Sequence, residues 1–290
     1  MKHWFFGENI CLNIENVVAS ARLDENINLD LIARLFHVKY PDADQYPEQF
    51  PGLVLRIEGR RIWRERIEEE EEWEEGEREG IAVLVFGSGK MVLTGARSER
   101  EAHNALSGLI KQLSRARIVT SRKLDIRIQN IVASAALGEP VDLEKAACCD
   151  RGVMYEPEQF PGLVYRMDDP KVFILLFASG KLVCTGAKKE PEVHRAVTKL
   201  RRLLQGSRSW DSKYAVDVLE VPDAIPFPNA SLEALEGGVK GKALERMMKE
   251  AVDCPVKQRR VSFVECFTCS NFNQRIKGKV GCAGLPSVGL

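Results

Sequence analysis

The chain has 290 residues, 44% of them hydrophobic, which is enough apolar material for one large domain or two modest ones. It contains no run of 18 apolar residues, which excludes a membrane-spanning helix, and residues 1–8 are too short an apolar run to be expected as a secretory signal. The formal net charge of zero joins two unlike parts: ten Glu and two Arg between Glu65 and Glu79 carry −8, and the remainder carries +8, a balance that suits a phosphate-bearing partner.

In chain order, Ile10, Leu12 and Ile14 alternate with polar neighbours, the period of a strand with one buried face, and lead into Asn16-Val17-Val18-Ala19-Ser20. A short helix is predicted over 29–37. Tyr46-Pro47-Glu48-Gln49-Phe50-Pro51-Gly52-Leu53-Val54 opens an extended segment over 52–57. Further strands over 81–86 and 90–93 are joined by a tight turn at Ser88-Gly89. A helix over 98–117 places Leu106, Leu109, Ile110 and Leu113 on one stripe.

The series then recurs. Leu124, Ile126 and Ile128 alternate before Asn130-Ile131-Val132-Ala133-Ser134, and a helix is predicted over 142–149. Strands follow over 162–167, 172–177 and 181–184, and a helix over 190–204. Phe86-Gly87-Ser88-Gly89-Lys90 returns as Phe177-Ala178-Ser179-Gly180-Lys181, and Thr94-Gly95-Ala96-Arg97 as Thr185-Gly186-Ala187-Lys188. Four blocks in the same order make this an internal repeat. The separations are 114 residues for Asn16 and Asn130, 110 for Phe50 and Phe160, and 91 for Phe86 and Phe177. Repeat 1 (8–117) thus carries four extra residues before Phe50 and 19 between Phe50 and Phe86, where the acidic insertion sits at about 61–79. Repeat 2 spans 122–206.

Each copy reads strand, helix, four strands, helix. Two copies predict an α+β fold: a curved antiparallel sheet of about ten strands, with four helices on one face and the other face free. Val18, Val92, Val132 and Val183 lie on strands beside Phe50, Phe86, Phe160 and Phe177, so that free face is apolar and is expected to bind something. The insertion reads either as a solvated charged loop or as an acidic arm that competes for the basic face or binds a basic partner.

Residues 207–290 match neither repeat. Residues 207–253 are expected to form a turn-rich linker and a helix over 241–252, with Leu244, Met247, Met248 and Val252 on one side. Residues 254–290 carry Cys254-x11-Cys266-x2-Cys269-x12-Cys282, a donor set for a tetrahedral metal site in a segment with too few apolar groups to fold on burial alone. A structural Zn²⁺ is the expectation, with an iron–sulfur cluster or unpaired thiols as alternatives. Cys11, Cys148, Cys149 and Cys184 fall in the repeats with no pairing logic. Eight cysteines without a signal point to reduced thiols and an intracellular protein.

The duplicated motifs Phe-Pro-Gly-Leu-Val-x-Arg and Phe-x-Ser-Gly-Lys-x-Val-x-Thr-Gly-Ala-Lys/Arg resemble the TATA-box-binding protein family of archaea and eukaryotes, in its archaeal form, over about residues 8–206. The resemblance implies a pseudo-two-fold saddle with helices on its convex face. Its concave sheet would sit in the DNA minor groove and bend the duplex by inserting Phe50, Phe86, Phe160 and Phe177. Asn16, Asn130, Thr94 and Thr185 would donate to the acceptors of A·T pairs, and Val18, Val92, Val132 and Val183 would refuse the guanine amino group. Arg56, Arg166, Lys90, Lys181, Arg97 and Lys188 would meet phosphates.

A transcription factor B-type protein would contact Glu156, Glu158 and Leu163, which Glu48 and Leu53 of repeat 1 echo, and RNA polymerase would follow indirectly. The implied protein is a general initiation factor on A·T-rich promoter DNA. It would be cytoplasmic and nucleoid-associated in an archaeon, nuclear in a eukaryote, and would need no cofactor for DNA binding. The alternative is a paralogue acting mainly through protein binding, its DNA face masked by the acidic insertion. A glycosylase built on such repeats is disfavoured, because no helix-hairpin-helix followed by a catalytic Lys or Asp is present.

Overall fold

The computed structural model describes residues 11–38, 52–58, 61–63, 80–121, 123–206, 212–235, 238–239 and 241–284. Ile10, Glu48, Phe50 and the acidic run from 64 to 79 lie outside these residues. The chain divides into two compact units, residues 14–131 with 188–190, and residues 1–13 with 132–187 and 191–290.

The unit built on repeat 1 contains β1 (Cys11–Arg22), α1 (Leu29–Phe36), β2 (Gly52–Glu58), β3 (Arg61–Trp63), β4 (Ile81–Phe86), β5 (Lys90–Ala96), α2 (Glu99–Arg115) and the start of β6 (Asp125–Ala136). Its strands follow the order β1-β5-β4-β2-β3, all antiparallel. Strict alternation sends Ile81, Val83 and Val85 into the core and leaves Ala82, Leu84 and Phe86 half-buried on the other face. Helix α2 covers the core side with Ala102, Leu106, Leu109, Ile110 and Leu113. Its start is set by Ser98, whose hydroxyl accepts the Glu101 N–H at 3.0 Å, while the Glu101 carboxylate reaches back to the Arg97 N–H at 2.7 Å. The β4–β5 turn needs glycine: Gly89 has φ +80°, and a Cβ there would lie 2.4 Å from the Glu25 carbonyl oxygen.

The second unit contains the rest of β6, α3 (Leu143–Ala146), β7 (Val153–Tyr155), β8 (Gly162–Met167), β9 (Val172–Phe177), β10 (Lys181–Ala187) and α4 (Glu190–Gln205). The tail follows with β11 (Tyr214–Glu220), α5 (Asn229–Leu235), α6 (Lys242–Met248), β12 (Glu250–Cys254), β13 (Arg259–Ser262), α7 (Phe263–Phe267), β14 (Phe272–Ile276) and β15 (Lys279–Cys282). The strand order is β13-β12-β11-β15-β14-β7-β8-β9-β10. The tail therefore extends the sheet of repeat 2: β14 pairs in parallel with β7, Arg275 lying beside Met154.

Among the described residues the two repeats hold ten strands and four helices, and the tail adds five strands and three helices. The linker-and-helix expectation for 207–253 is corrected, because this stretch supplies β11, α5, α6 and β12. The helix stops at Met248, since Glu250–Cys254 is a strand between β11 and β13, and Val252 is buried there. The tail core joins Phe263, Phe267, Phe272, Val261, Val280, Met247 and Leu235 to Phe173 of repeat 2, with Met154 and Val164 packed against it. Phe267 and Phe272 meet edge to face, centroids 5.0 Å apart.

Candidate nucleic-acid interface

In the first unit the strand register aligns Ser20, Val92, Leu84 and Val54 as direct neighbours across four strands, all half-buried. Val18 lies on the same face of β1, two residues before Ser20. In the second unit the register aligns Val183, Leu175, Val164 and Met154. Val132 is half-buried on β6. Leu84 and Leu175 lie outside the repeated motifs, each two residues before a motif Phe. Met154 and Val164 pack against the tail core; the branched aliphatic side chains left half open, Val54, Leu84 and Val92 in one unit and Leu175 and Val183 in the other, form a surface that water solvates poorly.

Phe177 ends β9 opposite Gly162, and its ring meets that of Phe160 edge to face, centroids 5.8 Å apart at 63°. A Cβ on Gly162 would lie 2.7 Å from the Phe160 ring and 3.1 Å from that of Phe177, so glycine lets the two half-buried rings close over the strand. Phe86 occupies the equivalent place opposite Gly52 and is also half-buried. Phe50 lies outside the described residues.

The Asn16 amide is oriented by its neighbours. Its Oδ1 accepts the Gly95 N–H at 2.7 Å, which places Nδ2 toward the Thr94 hydroxyl at 3.1 Å. One of its two N–H bonds can engage that hydroxyl, leaving the second to point elsewhere. Asn130 and Thr185 take the equivalent places on β6 and β10, both half-buried.

Lys90, Arg97, Lys181, Lys188 and Arg56 are exposed, as phosphate contacts require. Arg166 is not. Only 14% of its side chain is accessible, it pairs with Asp168 at 3.0 Å, and its guanidinium carbon lies 5.6 Å from the centre of the Phe267 ring. Phe173, its neighbour across the strands, is 3% exposed, and a Cβ on Gly238 would come within 2.0 Å of that ring. At the matching places in repeat 1, Arg56 is exposed and Ala82 half-buried. The tail thus covers the outer rows of repeat 2's open face. This corrects both the expectation that the whole face is free and the assignment of Arg166 to phosphate. The physical reason is Phe173: an aromatic ring where repeat 1 has a methyl group attracts apolar cover.

The residues expected to meet a factor B-type protein also change character. Leu163 is 2% exposed and belongs to the core. Glu156 is buried. It accepts from Arg275 Nε at 2.9 Å and from the Gly278 N–H at 2.8 Å. The same guanidinium holds Glu250 through two bonds, Nη1 at 2.5 Å and Nη2 at 3.0 Å, and lies 4.5 Å above the Phe263 ring. Burial works against the Arg275 charge, but the hydrogen bonds and charges of Glu250 and Glu156 outweigh it, so its pKa is raised. Glu158 alone of the three is exposed.

Cys254, Cys266, Cys269 and Cys282 line one cavity in the tail. Among the described residues no three His, Cys, Asp or Glu side chains are already arranged to hold a metal ion, so these thiols share a cavity without converging on a point. Cys184 is buried in the repeat 2 core, where burial pushes its thiol up to about 12.

Residues 11–116 and 125–206 match the family model described as transcription factor TFIID (or TATA-binding protein, TBP). The chain is 46% identical to the TATA-box-binding protein of Sulfurisphaera tokodaii over 189 residues, 65% of this chain and 84% of that protein. It is 42% identical to the TATA-box-binding protein of Methanocaldococcus jannaschii, over 65% of this chain and 91% of the relative. A solved structure described as Methanococcus jannaschii TBP superposes with a TM-score of 0.53 at 39% identity, covering 67% of this chain and 98% of that one.

Proposed function

Because the chain belongs to the TATA-box-binding protein family, a family of transcription factors rather than enzymes, we propose that it is an initiation factor that seats A·T-rich promoter DNA by its minor groove. The observation that carries this reading is the duplicated, half-open apolar face, Val54–Leu84–Val92 in one repeat and Leu175–Val183 in the other. The two faces would act on one duplex as the halves of a pseudo-two-fold saddle. Insertion of Phe86, Phe160, Phe177 and Phe50 unstacks base steps at a few kcal/mol each. Burying each ring returns roughly 1.5–3 kcal/mol, so the aliphatic rows must hold the bend. Asn16 and Asn130 with Thr94 and Thr185 would donate to A N3 and T O2, and the apolar rows would leave a guanine amino group without an acceptor. Lys90, Arg97, Lys181, Lys188 and Arg56 would neutralise phosphates, which makes affinity fall as salt rises.

A factor B-type protein, and RNA polymerase through it, would be recruited to the bent complex, with Glu158 as the available member of the acidic contact. A second reading is favoured by the covered Arg166, Phe173 and Glu156: a paralogue whose principal partner is another protein. Fluorescence anisotropy and end-to-end energy transfer on an A·T-rich duplex separate the two. The initiation-factor reading expects tight, bent complexes that lose affinity on G·C substitution. An unbent duplex, or equal affinity for both sequences, would reject it.

A further inference from the structure

Promoter binding leaves the tail cysteines without a role. Their positions are built by three separate segments of chain. Cys254 ends β12, Cys266 lies in α7, Cys269 follows it, and Cys282 ends β15. The fold brings all four to the lining of one cavity of about 30 Å³. The backbone around them is aimed at sulfur. The Lys257 N–H donates to Cys254 Sγ and the Asn271 N–H to Cys269 Sγ, both at 3.4 Å, and the Gly284 N–H donates to Cys282. A thiolate accepts more strongly than a neutral thiol, so amides turned onto sulfur would steady a metal-bound thiolate. Such outer hydrogen bonds orient and stabilise metal ligands.

We propose that Cys254, Cys266, Cys269 and Cys282 bind one Zn²⁺ as a tetrahedral thiolate site that ties α7 to the ends of β12 and β15. Four soft sulfurs select zinc over the hard cations, and a closed set with no open position makes the site structural. The four sulfurs do not converge as they stand, so entry of the ion requires them to turn inward. Four S–H protons pass to solvent as the ion enters. The staple lies in the module that covers Phe173 and Arg166, so it holds that cover in place.

The test is elemental analysis of the full chain purified without chelator. One zinc per chain is expected, falling to none in Cys266→Ser with Cys269→Ser and unchanged in Cys148→Ser with Cys149→Ser. Since the first variant can fail to fold, the intact chain is also exchanged into Co²⁺. Tetrahedral d–d bands with a thiolate charge-transfer band are expected, and Cys254→His shifts them. Iron in place of zinc, a disulfide between any of these cysteines, or a folded metal-free chain whose four thiols alkylate as fast as Cys149 would each overturn the proposal.

Discussion

Arg56 and Arg166 close the same motif in the two repeats, yet one is exposed and the other is held under Phe267. Ala82 and Phe173 differ in the same way, as do the neighbouring segments: repeat 1 carries an acidic insertion, and repeat 2 receives a tail that continues its sheet. Duplication assigns a residue its place in the fold. The environment of that place is set by what packs on it, and here a segment more than a hundred residues away decides it. Repeat 1 keeps its outer rows open, while repeat 2 keeps only the inner ones, around Leu175, Phe177 and Val183.

The largest expected effect breaks the cover on repeat 2. Arg275→Ala would leave Glu156 and Glu250 as buried carboxylates without their cation, at about 3–5 kcal/mol. Hydrogen exchange should show the β14 and β7 amides losing protection while those of β1 and β5 in repeat 1 keep theirs; unchanged protection throughout would mean the triad is not buried in solution. Next, Phe173→Ala should cost about 3–4 kcal/mol of stability, as for a core aromatic. Phe177→Ala, four residues along the same strand, should weaken and straighten the DNA complex while leaving the thermal midpoint nearly unchanged. If both variants behave alike, the line between the covered and open rows is misplaced.

A smaller effect separates the two arginines. Arg56→Ala should lower the slope of log affinity against log salt by about 1, whereas Arg166→Ala should leave it unaltered in the full chain. The smallest effect lies in the unit built on repeat 1. The Glu25 carboxyl is held below its usual range, chiefly by the Thr120 hydroxyl, then by the Ser121 and Thr120 N–H groups. A depressed carboxylate stabilises the fold above its unfolded pKa, and that contribution is lost as pH falls through the folded value. The stability difference between Glu25→Gln and the parent should therefore be present at neutral pH and vanish in acid, read from denaturant midpoints at each pH.

The repeat plan was legible because it is local. Alternation gave the strands, the Ser-Gly pairs gave the turns, and Leu106 to Leu113 gave the helix. The half-open face is legible too, through Val18, Val92, Val132 and Val183, although Leu84 and Leu175 lie in uninterrupted apolar runs that carry no alternation to show which face they take. What could not be read was long-range. Arg275 and Glu156 are 119 positions apart, and nothing in either neighbourhood names the other. The stretch from Gly241 to Val252 has helical spacing, and only the pairing of Glu250–Cys254 with β11 and β13 ends the helix at Met248.

The parallel pairing of β14 with β7 has a consequence for any competitor. A segment joined to its target by the same chain acts at an effective concentration on the order of millimolar, whatever the dilution of the protein. A separate protein that needs the β7 edge or the Glu156 carboxylate therefore meets a rival that dilution never removes. Its apparent affinity is reduced by the fraction of time the tail is docked. Its association should level off with concentration at the rate at which the tail lets go, so residence of the tail, rather than encounter, would set the pace of assembly on that side of the molecule.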